Sequence, residues 1–93
     1  MIIFSYFPEF KTSIEIKRGA ECRSRDVWLG YKDSVDECAK TCRDRFGTSC
    51  KFFVFGTGSK ARKCYWEDTY WRKVVNQCAH DWEDDEYNFY VMK

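Results

Sequence analysis

The clearest hydrophobic pattern in the chain is a helical stripe near its middle. The apolar members of this stripe recur at spacings of three or four and are Val35, Cys38, Ala39, Cys42 and Phe46. Ser34 stands just before the stripe and Glu37 three positions later, which is the pattern of a capping box, and Gly47 follows its last member. The pattern predicts one amphipathic helix, with Asp36 and Lys40 as a favourable i,i+4 pair on its polar side.

Strand patterns stand on both sides of this predicted helix. The segment TSIEIK alternates apolar and polar residues with a period of two, which is typical of a half-buried strand. After the helix, CKFFVFG and KCYWE predict two strands joined by the loop GTGSKAR, and YNFYVM predicts a last aromatic strand. These elements together predict an α+β fold in which one helix packs on an antiparallel sheet.

Cysteine usage adds a covalent framework to this picture. The chain has 93 residues and six cysteines, all of them between Cys22 and Cys78. An even number of cysteines in so short a chain predicts disulfides, and hence an oxidising compartment: extracellular, secretory or the lumen of an organelle. Zinc and thioredoxin-like redox sites are disfavoured, because no C-x2-C pair occurs and His80 is the only histidine. Six cysteines allow 15 pairings, so spacing alone does not assign the bonds.

Composition also divides the chain near Gly19. Residues 1–20 lack cysteine, so we expect an N-terminal aromatic arm with a possible first strand there, followed by a disulfide-rich domain at residues 21–93. No stretch reaches the ~20 apolar residues of a membrane span, although a position near a membrane surface stays open. The start also lacks the features of a signal peptide, so any targeting segment is expected to be already missing.

Aromatic side chains are the leading candidates for contacts with a protein partner, because Trp and Tyr are enriched at interface hot spots. We expect the arm to dock on a partner, together with the exposed segment DTYWRK. The candidate contact residues are Ile2, Ile3, Phe4, Tyr6, Phe7, Tyr70 and Trp71.

Charge gives weaker signals. The net charge is only +1, so no global field would attract nucleic acid. Lys60, Arg62 and Lys63 lie together in SKARK and are candidates for binding a sulfated glycan or an acidic protein, with an ordinary solvated loop as the simpler interpretation. The acidic run HDWEDDEY lacks the spacing of an EF-hand and is interpreted as a solvated turn, so no metal and no cofactor are expected. A domain of this size offers little room for a catalytic cleft, so we expect no enzyme.

The order of Cys22, WLGYKDSVDECAKTC, SCKFFVFG, KCYWE, Cys78 and YNFY resembles the PAN/apple domain, a plasminogen and hepatocyte growth factor N-terminal-like module. The resemblance covers the chain from Cys22 to Met92. It implies one helix on a curved antiparallel sheet. It also implies three disulfides, which join Cys38 to Cys64, Cys42 to Cys50 and Cys22 to Cys78.

The same resemblance implies a recognition module for proteins or carbohydrates, without a particular ligand. Our leading hypothesis is a non-catalytic protein-interaction module, an accessory or structural subunit docked on a larger assembly. The segment SVDECAKTC is similar to PAN/apple domains of algal and other protist proteins, which suggests a lumenal photosynthetic complex as such an assembly. The alternative hypothesis is a secreted, lectin-like adhesion module that binds carbohydrate through aromatic platforms and the basic loop.

Overall fold

The fold is α+β and disulfide-rich, as the sequence predicts, and is described for residues 12–93 by a computed structural model. The strands are β1 (Ser13–Lys17), β2 (Ala20–Glu21), β3 (Arg25–Tyr31), β4 (Phe52–Gly56), β5 (Lys63–Asp68), β6 (Glu83–Asp84) and β7 (Tyr87–Met92). The helices are α1 (Val35–Phe46) and α2 (Trp71–Asn76). Neither helix is long and apolar enough to cross a membrane.

All strand pairs are antiparallel. The main sheet has five strands in the order β1-β7-β4-β5-β3, and β2 pairs with β6 in a separate two-stranded sheet. The three strands predicted after the helix therefore form the centre of the main sheet. The alternating segment at the start of the described chain is β1, which pairs with the last strand, β7.

Helix α1 begins and ends where the sequence predicts. The Ser34 hydroxyl accepts a hydrogen bond from the Glu37 N–H at 3.1 Å, and the Glu37 carboxylate accepts one from the Asp33 N–H at 3.4 Å. The returning bond of the capping box thus reaches one residue farther back than expected. Gly47 ends the helix with φ 57°, a conformation that glycine adopts at little cost.

The predicted ion pair on the surface of α1 has a different partner. Lys40 Nζ lies 2.8 Å from the carboxylate of Asp44, so Lys40 pairs with the acid one turn later and not with Asp36. Asp36 lies in the first turn, where the partial positive charge of the helix N-terminus already favours a carboxylate.

The main sheet is buried on both faces. Along β4, Phe53 points to the side covered by α1, whereas Phe52 and Val54 point to the opposite side, and all three are at most 1% exposed. On the first side, Cys38, Ala39 and Cys42 of α1 pack against the sheet. The second side is covered by Val74 of α2 and by Cys22 and Cys78. A strand whose successive residues are all apolar is buried on both faces, which explains the run FFVF.

Three disulfides cross-link the helices, the strands and the segments between them. Cys38 of α1 is bonded to Cys64 of β5, Cys42 of α1 to Cys50 just beyond the helix, and Cys22 after β2 to Cys78 after α2. These are the pairs that the resemblance implies. The expectation of a single helix was incomplete, because α2 covers part of the second face; its six residues are too few to show a helical stripe.

We expect the disulfide between α1 and β5 to contribute more stability than the one beside it. Replacing Cys38 and Cys64 together by alanine removes a cross-link between residues 26 apart, whereas the matched pair Cys42→Ala and Cys50→Ala removes one between residues 8 apart. The chain-entropy model gives the longer loop about 1 kcal/mol more, within a usual range of about 2–5 kcal/mol for a native disulfide. Denaturant unfolding followed by circular dichroism measures both variants; a smaller loss for Cys38 and Cys64 would contradict this order.

Candidate interaction surfaces and a buried carboxylate cluster

Tyr70 and Trp71, which the sequence marks as partner contacts, lie at the start of α2 and are exposed. Tyr70 is 58% exposed, Trp71 is 49% exposed, and Val75 on the next turn is 54% exposed. We call these three residues the α2 surface. The indole of Trp71 meets the ring of Phe52 edge-on, with 5.0 Å between ring centroids. Trp71 is therefore supported by the core on one side and faces solvent on the other.

The α2 surface is held firmly although its helix is short. A helix of six residues is unstable by itself, so tertiary contacts must maintain it. Val74 is 3% exposed and packs in the core of the second face. At the end of the helix, the Gln77 N–H donates a hydrogen bond to the Lys73 carbonyl at 2.9 Å. The buried Cys78 follows immediately and is bonded to Cys22. The aromatic side chains of α2 are thus presented by an anchored element.

Trp71 also forms one wall of a groove that carries positive charge. Arg43, Lys51 and Lys93 line the same groove, and the Arg43 guanidinium donates a hydrogen bond to the Lys93 carbonyl at 3.2 Å. No acidic residue of the described chain lines it. The local charge is therefore positive although the whole chain carries only +1.

A second exposed aromatic pair, which the sequence analysis missed, lies on the edge strand β3. Trp28 is 43% and Tyr31 58% exposed, and their rings meet edge-on at 5.2 Å. Trp28 also contacts the ring of Tyr65 on β5, with 5.1 Å between centroids. We call Trp28 and Tyr31 the β3 edge patch. Its sequence signal was the segment RDVWLGY, in which Val27 and Leu29 alternate with exposed residues.

The predicted basic loop does not present three unpaired positive charges. Lys60 lies 3.8 Å from the Asp85 carboxylate and over the ring of Tyr87, and Arg62 lies 2.8 Å from the Asp33 carboxylate. Lys63 is partly buried at the start of β5. The guanidinium of Arg62 also lies 6.0 Å from the ring centroid of Tyr31, which brings this part of the loop beside the β3 edge patch.

Three carboxylates converge on the second face of the sheet. Glu21 of β2, Asp26 of β3 and Glu67 of β5 each place a carboxylate oxygen within 4.8 Å of the other two. Glu67 is 0% and Glu21 8% exposed, whereas Asp26 is exposed. The Ser24 hydroxyl donates a short hydrogen bond to Glu67 Oε2, while among the described residues Oε1 has no hydrogen-bond partner outside these three carboxyl groups. We call Glu21, Asp26 and Glu67 the carboxylate cluster.

Burial and mutual repulsion shift the protonation of this cluster. Burial, followed by the hydrogen bond with Asp26, raises the pKa of Glu67 to about 11. Burial, followed by the hydrogen bond with Asp85, raises the pKa of Glu21 to about 8, and burial also raises the pKa of Asp26. The pKa of Asp85 is lowered, chiefly because it accepts the hydrogen bond from Glu21. In the absence of a cation, the cluster therefore retains protons at neutral pH.

No sequence motif predicts the carboxylate cluster. Its members come from three strands, and the acidic run HDWEDDEY contributes the neighbouring Asp85 and Glu83 but no member of the cluster. The register of β3 with β5 sets Asp26 opposite Glu67, and that register is fixed by the fold.

All six cysteines are bonded in pairs, so no thiolate is left as a nucleophile or metal ligand. The arm candidates Ile2, Ile3, Phe4, Tyr6 and Phe7 lie outside the described residues.

The raised pKa values predict that the cluster lowers stability as pH rises. Between about pH 5 and pH 8 the unfolded chain releases protons from Glu21 and Glu67, whose ordinary pKa is 4.5, while the folded protein retains them. The contribution of these groups to the free energy of unfolding is therefore greatest below pH 4.5 and falls toward their folded pKa values. Each retained proton changes the free energy of unfolding by about 1.4 kcal/mol per pH unit.

Denaturant unfolding at several pH values in buffer with EDTA measures this slope. In the Glu67→Gln variant the slope of the free energy of unfolding against pH should be smaller by about 1.4 kcal/mol per pH unit, because glutamine does not titrate. Glu83→Gln is the matched control, since Glu83 is exposed and paired with Arg23. An unchanged slope in Glu67→Gln would contradict the assignment.

The family comparison agrees with this architecture. The family profile described as PAN domain matches residues 12–83. Comparisons with curated proteins and with solved structures find no significant match. PAN domains are modules that interact with proteins or carbohydrates, and the three disulfides agree with an oxidising extracellular or secretory environment. Because the match covers most of the chain and the described residues have the α+β fold that the resemblance implies, the chain belongs to the PAN domain family.

Proposed function

We propose that this chain is a non-catalytic protein-interaction module that docks on a larger assembly through the α2 surface. The observation that carries the proposal is Trp71, which is 49% exposed although its ring is supported by Phe52. A supported aromatic ring loses little conformational freedom when it enters a partner's pocket, which is characteristic of hot-spot residues. Tyr70 and Val75 extend the apolar contact around it.

The charge of the adjoining groove favours an acidic partner. Trp71 shares this groove with Arg43, Lys51 and Lys93. A partner segment that carries an apolar anchor beside Asp or Glu would fill both features, because the basic rim would orient the acidic residues by electrostatic attraction. The aromatic arm, with Ile2, Ile3, Phe4, Tyr6 and Phe7, belongs to the same proposal as a second contact.

The finer role proposed is that of an accessory or structural subunit in an oxidising compartment. The three disulfides support an oxidising site of folding. If the chain is algal, as the wording of its helix suggests, the thylakoid lumen and a photosynthetic complex are the compartment and the assembly that we propose.

Truncating the aromatic anchor tests the docking proposal. The Trp71→Ala variant is expected to bind the native assembly about 30-fold more weakly, because hot-spot truncation costs about 2 kcal/mol or more. Lys51→Glu should weaken binding without removing a packed ring and should reduce its dependence on salt. Binding is measured by incorporation of the tagged, oxidised full chain into the assembly, followed by size-exclusion chromatography.

Tyr31→Ala is the control, since it also removes a large exposed aromatic ring but lies on the β3 edge patch. The proposal fails if Trp71→Ala and Lys51→Glu incorporate like the unmodified chain. It also fails if Tyr31→Ala reduces incorporation as much as they do.

The β3 edge patch supports a second candidate function, carbohydrate binding. Trp28 and Tyr31 offer two exposed aromatic rings, and the Arg62 guanidinium lies beside that of Tyr31. Aromatic faces with nearby hydrogen-bond donors suit the stacking of sugar rings and the recognition of their hydroxyl groups. The proposed glycan site is therefore the end of the basic loop that adjoins Tyr31, and not the basic loop as a whole.

A glycan array with matched variants tests the second candidate. Trp28→Ala should reduce binding about tenfold, which corresponds to about 1.4 kcal/mol. Adding Arg62→Ala to this variant should reduce binding further. Lys60→Ala and Lys63→Ala should have smaller effects, because Lys60 is engaged with Asp85 and Lys63 is partly buried. Absence of binding, or equal loss in Trp71→Ala, would exclude the β3 edge patch as a glycan site.

A further inference from the structure

The carboxylate cluster is an acidic site without a partner of opposite charge. Among the described residues, six ion pairs form, and none involves Glu21, Asp26 or Glu67. The neighbouring carboxylates do have cations: Asp85 has Lys60 and Asp68 has Arg25. The basic side chains that pair with these neighbouring carboxylates thus leave the three members of the cluster without a cation.

Glu67 makes this arrangement unusual. Its side chain is 0% exposed, its carboxylate points toward those of Glu21 and Asp26, and within the described residues its Oε1 has no hydrogen-bond partner other than these carboxyl groups. A buried carboxylate that is surrounded by other carboxyl groups costs free energy, and a bound cation would offset that cost. Apart from the carboxyl groups of the cluster itself, the only donor that reaches the Glu67 carboxylate in the described chain is Ser24, which bonds to the other oxygen.

We infer that Glu21, Asp26 and Glu67 bind a divalent cation, and that Ca²⁺ is the cation that fits. Oxygen ligands bind Ca²⁺ at about 2.3–2.6 Å, so two oxygens on one ion lie at most about 5 Å apart. The limit of 4.8 Å that encloses the three carboxylate oxygens falls within this reach. Mg²⁺ binds at about 2.0–2.1 Å, demands near-ideal octahedral geometry and loses its water reluctantly, so a site built largely from protein carboxylates suits it less.

The site is open enough for an ion to enter and for water to complete its shell. Asp26 is exposed, whereas Glu21 and Glu67 form the buried floor of the site. Calcium takes six to eight oxygen ligands, and three carboxylates supply part of that number, with water supplying the remainder. The arrangement matches the weak to moderate sites of extracellular modules, with dissociation constants of about 10⁻⁴–10⁻³ M.

A bound ion would also connect the two sheets of the fold. Glu21 belongs to the small sheet of β2 and β6, whereas Asp26 and Glu67 belong to the main sheet. Next to Glu21, Cys22 is bonded to Cys78 directly after α2. Calcium would therefore stabilise the layer that covers the second face and supports α2.

Calorimetric titration of CaCl2 into the oxidised full chain, after treatment with EDTA, tests the inference at pH 7.5. We expect one ion per chain with a dissociation constant below about 1 mM, together with a rise in melting temperature as CaCl2 is added. Asp26→Asn should weaken binding at least tenfold and abolish the rise in melting temperature. Because Asp26 is exposed, this variant should fold, and Glu67→Gln provides a second test from the buried side of the site.

The matched control is Asp68→Asn, which removes the same charge from the residue next to Glu67 on β5. Its binding should stay within twofold of the unmodified chain, because Asp68 pairs with Arg25 outside the cluster. MgCl2 should bind at least tenfold more weakly than CaCl2. The inference is overturned if 10 mM CaCl2 produces neither binding heat nor a change in melting temperature, or if Asp68→Asn loses as much binding as Asp26→Asn.

Discussion

The central strands β4, β5 and β7 carry large apolar side chains on both sides, so both faces of the main sheet must be withdrawn from water. A domain this small removes only about 60–65% of its unfolded surface from water, and a sheet with one open apolar face would not be stable. Helix α1 covers one face through Cys38, Ala39 and Cys42. Among the described residues, the other face is covered by the short α2 and by the pair β2 and β6, and the Cys22–Cys78 disulfide links the chain segments that carry them.

This need for a second cover explains why a glutamate is buried. Neighbouring residues on a strand point to opposite faces, so Trp66, which packs on the α1 side, forces Glu67 to the second face. The covering strand β2 then encloses the Glu67 carboxylate and brings Glu21 against it. The carboxylate cluster therefore follows from the register of β3 with β5 and from the position of β2, and the stability lost by burying charge must be offset by protons or by a cation.

The parts of the fold that were predictable depend on local patterns. Helix α1 could be predicted because Ser34 and Gly47 mark its ends and its apolar stripe lies within 12 residues. Strands β4, β5 and β7 could be predicted from short aromatic runs. Helix α2 could not, because tertiary contacts such as Trp71 against Phe52 maintain it. The carboxylate cluster could not be predicted from the sequence either, since Glu21 and Glu67 become neighbours only when β2 packs on the sheet.

The same dependence on long-range contacts separates the candidate sites. Tyr70 and Trp71 were predicted as contacts from their residue type, and their exposure depends on α2 being anchored by Val74 and Cys78. Trp28 lies two residues beyond Asp26 on the same strand, and therefore on the same face of β3. Any change in the charge of the cluster thus acts on the electrostatic field beside the β3 edge patch, while the groove beside Trp71 is lined by basic residues. A partner attracted by the basic groove would be repelled by an ionised cluster, so the two regions favour ligands of different charge.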